Sequence, residues 1–140
     1  MSFSQIGKIR YPLPTLAPSG IKYCDRMFTN PVRFNFMVKP PGGGIYVVLV
    51  SDPTCKPRPY RPLYFGEAEY FFRRVMRSHE KYADWTKEAR GGELYVAFFA
   101  MPGSTKEARL FVEDKLISDY APPCNDRFNN SALIRTLYGI

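Results

Sequence analysis

The sequence predicts a mixed α/β domain with the element order β-β-α-β-α behind an irregular front. Three observations predict it. A β-branched run, Ile45-Tyr46-Val47-Val48-Leu49-Val50, follows three glycines. An apolar stripe at three- and four-residue spacing runs from Phe71 to Tyr82. A helix-start signature, Ser104-Thr105-Lys106-Glu107, precedes a stop at Pro122-Pro123. The 140 residues suit a single domain that can bury a core without disulfide or metal staples. A hydrophobic content of 45% and an aromatic content of 16% argue against general disorder.

Residues 1–41 form an extension in which Pro12, Pro14, Pro18, Pro31, Pro40 and Pro41 preclude long helices. Within it Val32, Phe34, Phe36 and Val38 alternate with Arg33, Asn35, Met37 and Lys39, the pattern of one half-buried strand laid along the edge of the main sheet. The Ile45–Val50 run, bounded by Ser51-Asp52-Pro53, is a buried strand. Gly42-Gly43-Gly44 is no phosphate loop, because no Gly-Lys-Ser/Thr follows and a strand, not a helix, comes next.

Leu63–Gly66 is a short second strand, and the apolar stripe reads as a helix from Glu67 to Tyr82. Glu93 to Ala100 is a third strand. The capped helix from Ser104 ends near Tyr120. Residues 127–140 are a tail with a weak helical turn from Ser131 to Tyr138.

Twenty lysines and arginines against 13 acids give a net charge of +7, a balance that favours phosphate-rich partners. Cys24, Cys55 and Cys124 are odd in number and lack a C-x-x-C pair, which fits neither a disulfide framework nor a zinc knuckle and suits a reducing, cytoplasmic setting. Met-Ser-Phe-Ser-Gln has no signal-peptide character, and no apolar run has bilayer length; a soluble intracellular protein is expected.

Several polar residues stand where chemistry is plausible. Glu113 falls in one row with Leu110 and Ile117, on a largely apolar helix face. A carboxylate there needs a metal, an arginine or a helix dipole, or else reaches solvent or pairs with Arg109 or Lys106. Tyr46 and Tyr64 sit near the ends of adjacent strands, as packing groups or as site residues. Arg73, Arg74 and Arg77 mark a solvated helix face or a phosphate-binding set. His79, the only histidine, excludes a multi-histidine metal site, and no nucleophile elbow supports a hydrolase triad around it. Pro53 to Pro62 carries Lys56, Arg58 and Arg61 with no acid between them. The stretch reads equally as a nucleic-acid arm, stiffened toward polyproline, or as an enlarged hairpin loop.

Gly44-Ile45-Tyr46, Tyr64-Phe65-Gly66, Arg74, Glu113 with Leu116-Ile117 behind it, and Pro122-Pro123-Cys124-Asn125 occur in that order. Over residues 42–126 the chain resembles the GIY-YIG nuclease family. The resemblance implies a three-stranded antiparallel sheet with flanking helices, and a metal-dependent endonuclease that hydrolyses DNA phosphodiester bonds. It implies that Glu113 binds a single divalent ion, Mg²⁺ or Mn²⁺, and that Arg74, eight residues after Gly66, clamps the scissile phosphate, with Arg73 the competitor should the register slip. Tyr46 would help deprotonate the attacking water, and Tyr64 would contact the phosphate. His79 is a neighbour one residue off the family spacing. Gly44, Gly66 and Asn125 would be structural supports. The gap between Tyr46 and Tyr64 is longer than usual, and Phe65 replaces an aliphatic residue. The rivals are a catalytically silent nucleic-acid-binding module and a protein-interaction domain. DNA is preferred to RNA, and monomer and homodimer both remain open.

Overall fold

Strand β4 (Gly44–Ser51) organises the molecule, because both of its faces are covered. Tyr46, Val48 and Val50 point into one core with Leu63, Phe71, Val75, Trp85, Val96 and Phe98. Ile45, Val47 and Leu49 point into a second, with Phe65, Ala97, Val112, Leu116 and Ile117. A continuous β-branched run is what a doubly buried strand requires. The computed structural model describes residues 20–56 and 58–125.

A short hairpin, β1 (Ile21–Tyr23) and β2 (Arg26–Phe28), lies on the second core. The main sheet is antiparallel with strand order β3-β6-β4-β5, formed by β3 (Val32–Arg33), β4, β5 (Tyr60–Ala68) and β6 (Leu94–Ala100). Helices α1 (Phe71–Arg74) and α2 (Tyr82–Ala89) cover the first face, and α3 (Lys106–Tyr120) covers the second. The antiparallel sheet with flanking helices is the fold class expected from the sequence, extended by the two-residue β3 at its edge.

The local elements differ from expectation in several places. The alternating stretch Val32–Val38 is not one strand. Only Val32 and Arg33 pair with β6, Phe34–Phe36 turns as a 3-10 helix to bury Phe34, and Val38 is left 88% exposed. The helix expected over Glu67–Tyr82 is broken. Glu67 and Ala68 belong to β5, and α1 ends at Arg74, because Val75 takes an extended backbone that drops its side chain into the core. Burial of Phe71, Val75, His79 and Trp85 on one sheet face demands a chain that folds back, which a straight helix cannot provide.

Helix α2 was not foreseen, although its stop is legible. Arg90 adopts the left-handed conformation directly before Gly91-Gly92. The cap of α3 is Thr105, whose hydroxyl accepts the Ala108 N–H, so the signature lies one residue later than Ser104 and Glu107 takes no part in it.

The described part of the proline-rich insert is a turn that leads into strand. Tyr60–Pro62 continue β5, with a register irregularity opposite Val48 and Leu49 that admits Pro62 on an edge strand. Asp52 closes the turn by accepting from both the backbone N–H and the hydroxyl of Thr54. The helical turn expected over Ser131–Tyr138 and the first prolines of the extension lie outside the described residues. Among the described residues no helix is long and apolar enough to cross a membrane.

Candidate active site

The strand pairing places Tyr46 directly opposite Gly66 on one side and Phe98 on the other. A Cβ on Gly66 would run into the ring and hydroxyl of Tyr46, so the glycine is what gives that phenol its room. Gly44 opens β4 at φ 148°, and a Cβ there would strike the Phe99 carbonyl. Gly66 is thus a steric requirement of the tyrosine's position, and Gly44 one of the close approach of β4 to β6.

Tyr46 is 1% exposed, and its hydroxyl lies 2.8 Å from His79 Nε2. The other ring nitrogen, Nδ1, accepts the Lys81 N–H at 2.9 Å. The proton of the neutral imidazole therefore sits on Nε2, and His79 donates to the Tyr46 oxygen. Trp85 packs on the imidazole at 4.6 Å between centroids, and Tyr64 lies 5.6 Å from it and 6.1 Å from the Tyr46 ring. Sequence reading placed His79 on a helix; the structure places it in the turn between α1 and α2, where it reaches the strand tyrosine.

Burial, then the nearby Arg74 charge, pushes the His79 pKa down to about 4. Burial raises Tyr46 well above the ordinary tyrosine value, with Tyr64 adding to the shift and Arg74 opposing it. Tyr64 is pushed up to about 12 by burial and then by the Glu113 charge. Tyr46 is therefore a neutral phenol at physiological pH. The proton-removing role expected of it requires further positive charge nearby to lower its pKa.

The neutral state of His79 has a direct optical check. An imidazolium in contact with Trp85 quenches indole emission. The fluorescence of this single-tryptophan chain is therefore expected to titrate with a midpoint near pH 4, not 6.5, and the step is expected to vanish in His79→Gln. Because the folded pKa lies below the unfolded one, the His79 contribution to stability is complete above about pH 6.5 and is lost as pH falls toward 4.

The outer edge of β5 carries the next groups. As an edge strand it presents unpaired backbone polar groups, and side chains occupy them. Asn125 accepts the Phe65 N–H through Oδ1 and donates Nδ2 to the Phe65 carbonyl, both at 2.9 Å, like a one-residue strand. Two residues along, the Glu67 N–H donates to Glu113 Oε2 at 3.0 Å. Glu67 in turn accepts from Arg109 Nε at 2.9 Å, and Arg109 also donates to the Ser104 carbonyl. Of the partners considered for Glu113, neither Arg109 nor Lys106 takes it; Arg109 serves Glu67.

Burial first, then the charges of Glu67 and Asp114, push the Glu113 carboxyl up to about 7. A carboxylate raised by burial and by neighbouring acids is one that a cation stabilises. Among the described residues no set of three or more His, Cys, Asp or Glu is arranged to hold an ion. Glu113 alone offers a hard divalent ion a single carboxylate, and water or other oxygens would have to complete its shell.

Arg74 lies within electrostatic reach of Tyr46, Tyr64, His79 and Glu113. Its guanidinium is gripped end-on by Glu80, with Nη1–Oε1 at 2.9 Å and Nη2–Oε2 at 2.6 Å. Arg73 points elsewhere, over the rings of Tyr70 and Phe72. Arg77 lies over Tyr82 and lines a cavity of about 490 Å³ together with Lys39, Met37, Met76 and Ser78. The three insert cations are apart from the cluster. Arg58 donates to the Gly20 carbonyl and to Asn30, Arg61 lies between Asp52 and Glu88, and Lys56 is exposed. A cavity of about 720 Å³ beside Met27, Val32, Phe36 and Phe98 has no titratable side chain in its lining.

Two solved structures resemble this chain. Both are point mutants of the GIY-YIG N-terminal endonuclease domain of UvrC from Thermotoga maritima, each bound to the catalytic divalent cation. One is 21% identical, covers 66% of this chain and 92% of its own, and has a TM-score of 0.44. The other is 22% identical, covers 62% and 88%, and has a TM-score of 0.40. The likeness concerns the chain path alone. No family model and no curated protein matches the chain.

Sequence reading missed Glu80, Glu67 and Trp85, and weighed Arg109 only as a partner for Glu113. Glu67 and Arg109 meet across 42 positions, and Glu80 reaches Arg74 only because the helix breaks between them; no local pattern encodes either pair. Trp85 did carry a signal, as a lone large aromatic shortly before Gly91-Gly92.

Proposed function

We propose that this chain is a metal-dependent endonuclease of GIY-YIG type that hydrolyses DNA phosphodiester bonds. One observation carries the reading. Five polar side chains, from Tyr46 on β4, Tyr64 on β5, Arg74 on α1, His79 in the following turn and Glu113 on α3, interact around one corner of the sheet. A scaffold without chemistry has no need to bury a carboxylate, a phenol and an imidazole together. The net charge of +7 favours a phosphate-rich substrate.

In this reading Glu113 holds Mg²⁺ or Mn²⁺. When bound, such an ion supplies Lewis-acid stabilisation of phosphate and leaving oxygen, and it acidifies a water. Arg74 directs its remaining N–H donors at the phosphate oxygens as charge builds on them. The Tyr46 oxygen, already accepting from His79, keeps a lone pair with which to orient the attacking water. The Tyr64 hydroxyl contacts the phosphate. Gly66 gives the Tyr46 phenol room, Gly44 lets β4 approach β6, and Asn125 holds the β5 edge that carries Tyr64.

The test is the nicking of supercoiled plasmid by the purified chain. Cutting is expected with Mg²⁺ or Mn²⁺ and is expected to stop on chelation. Plasmid bound but uncut with either ion would replace the nuclease with the silent binding module.

Binding offers a second expectation. Neutralising Lys56, Arg58 and Arg61 together is expected to lower the salt slope by about one phosphate contact, not three, because two of the three guanidinium or ammonium groups already have protein partners. Arg58→Ala is expected to lower the melting temperature as well, since its side chain ties the β4–β5 loop to Gly20 and Asn30. A loss of three contacts, with stability unchanged, would restore the loop as a nucleic-acid arm.

A further inference from the structure

Glu80 belongs to no motif, yet it makes the shortest side-chain contact of the candidate site. Its carboxylate takes both terminal nitrogens of Arg74, at 2.9 and 2.6 Å. We infer that Glu80 is a positioning residue: it fixes Arg74 so that the unused donors of the guanidinium face the substrate phosphate. The inference rests on the nuclease reading above.

Arg74 needs such a restraint. It is the last residue of the four-residue helix α1, its side chain is 41% exposed, and the chain beyond it has no regular structure until Tyr82. An arginine so placed samples many rotamers, and a phosphate would have to order it on binding. The end-on grip removes that cost beforehand while using two of the five N–H donors, so the Nε edge is left for a second anion.

The turn that carries the restraint is anchored, while the Glu80 side chain itself is 60% exposed. His79 and Glu80 are consecutive: one holds the Tyr46 hydroxyl and the other holds Arg74. The turn that carries them is closed by His79 N to the Met76 carbonyl, Tyr82 N to the His79 carbonyl and Lys81 N to His79 Nδ1. Trp85 packs beneath the imidazole. One turn thereby sets the spacing between a phenol on β4 and a guanidinium on α1. Glu80 also places a negative charge near the path of an anionic substrate, which weakens binding. Its removal should act on rate and affinity in opposite directions.

The experiment is single-turnover plasmid nicking with Mg²⁺ at saturating protein, together with DNA binding in chelator. It compares the full chain with Glu80→Ala, Glu80→Asp, Arg74→Ala and Arg74→Ala/Glu80→Ala. Glu80→Ala is expected to lose about tenfold in rate while binding DNA as tightly as wild type or more so. Glu80→Asp is expected to recover part of the rate, and Glu80→Ala is expected to cost nothing further once Arg74 is gone. A rate that rises in Glu80→Ala would mean that the carboxylate competes with phosphate, and it would overturn the inference. So would an unchanged rate, an equal loss in the Arg74→Ala background, or a parallel loss of rate, binding and melting temperature. A wild type that binds plasmid but cuts none with either ion overturns the nuclease reading and the positioning role together. A wild type that cuts, with Glu80→Ala at full rate, overturns the positioning role alone.

Discussion

Glu113→Gln is expected to abolish metal-dependent cutting while leaving DNA binding and the far-ultraviolet spectrum near wild type. The amide oxygen can still accept the Glu67 N–H, so the β5 edge stays closed, but a neutral amide is a poor ligand for a hard cation. The loss should exceed the roughly 10–100-fold that follows removal of a mere supporting partner of a metal ligand.

The same substitution has an opposite effect on stability, which makes the test sharp. Burial and the charges of Glu67 and Asp114 raise the folded pKa from 4.5 to about 7, so the charged form is disfavoured in the folded state. That cost is absent below about pH 4.5 and complete above 7. In chelator the variant should match wild type in thermal stability near pH 4.5. It should exceed wild type by about 1–3 kcal/mol at pH 8. An inactive variant with no alkaline gain would mean that Glu113 is not the strained carboxylate described. Full activity would remove it from the site.

Arg74→Ala is expected to lower the single-turnover rate by about two to three orders of magnitude, with a much smaller effect on affinity. A donor that meets extra charge only in the transition state contributes roughly 3–4 kcal/mol to the rate and little to ground-state binding. Of the three neighbouring arginines, Arg74 is the one whose charge stands among the leading influences on Tyr46, Tyr64 and Glu113. Arg73 is stacked on Tyr70 and Phe72, and Arg77 lines a separate cavity with Lys39. Arg73→Ala and Arg77→Ala should therefore act on affinity and its salt dependence. A large rate loss in Arg73→Ala would place the motif one residue earlier. Full rate in all three at saturation would leave the binding module as the better reading.

The sequence by itself determined the centre of this molecule. The run Ile45–Val50 read as a buried strand, and the start signature at Ser104–Glu107 with the proline stop located α3 to within a residue. The resemblance carried by the two tripeptides, Arg74, Glu113 and Asn125 named polar residues of which two, Glu113 and Asn125, bind the backbone of the β5 edge. What followed α1 was not legible. The apolar spacing from Phe71 to Tyr82 satisfies a helix as well as it satisfies a folded-back chain, and only the demand to bury Val75, His79 and Trp85 against one sheet face chooses the latter. The alternation of Val32 to Val38 failed for the same reason, since one aromatic, Phe34, had to turn inward. Tertiary packing alone decided the charge states. The neutrality of Tyr46, the depressed imidazole of His79, the raised carboxyl of Glu113 and the Glu80 grip on Arg74 depend on desolvation and on partners distant in sequence. Residue order states which groups are present, and burial states which of them carry charge.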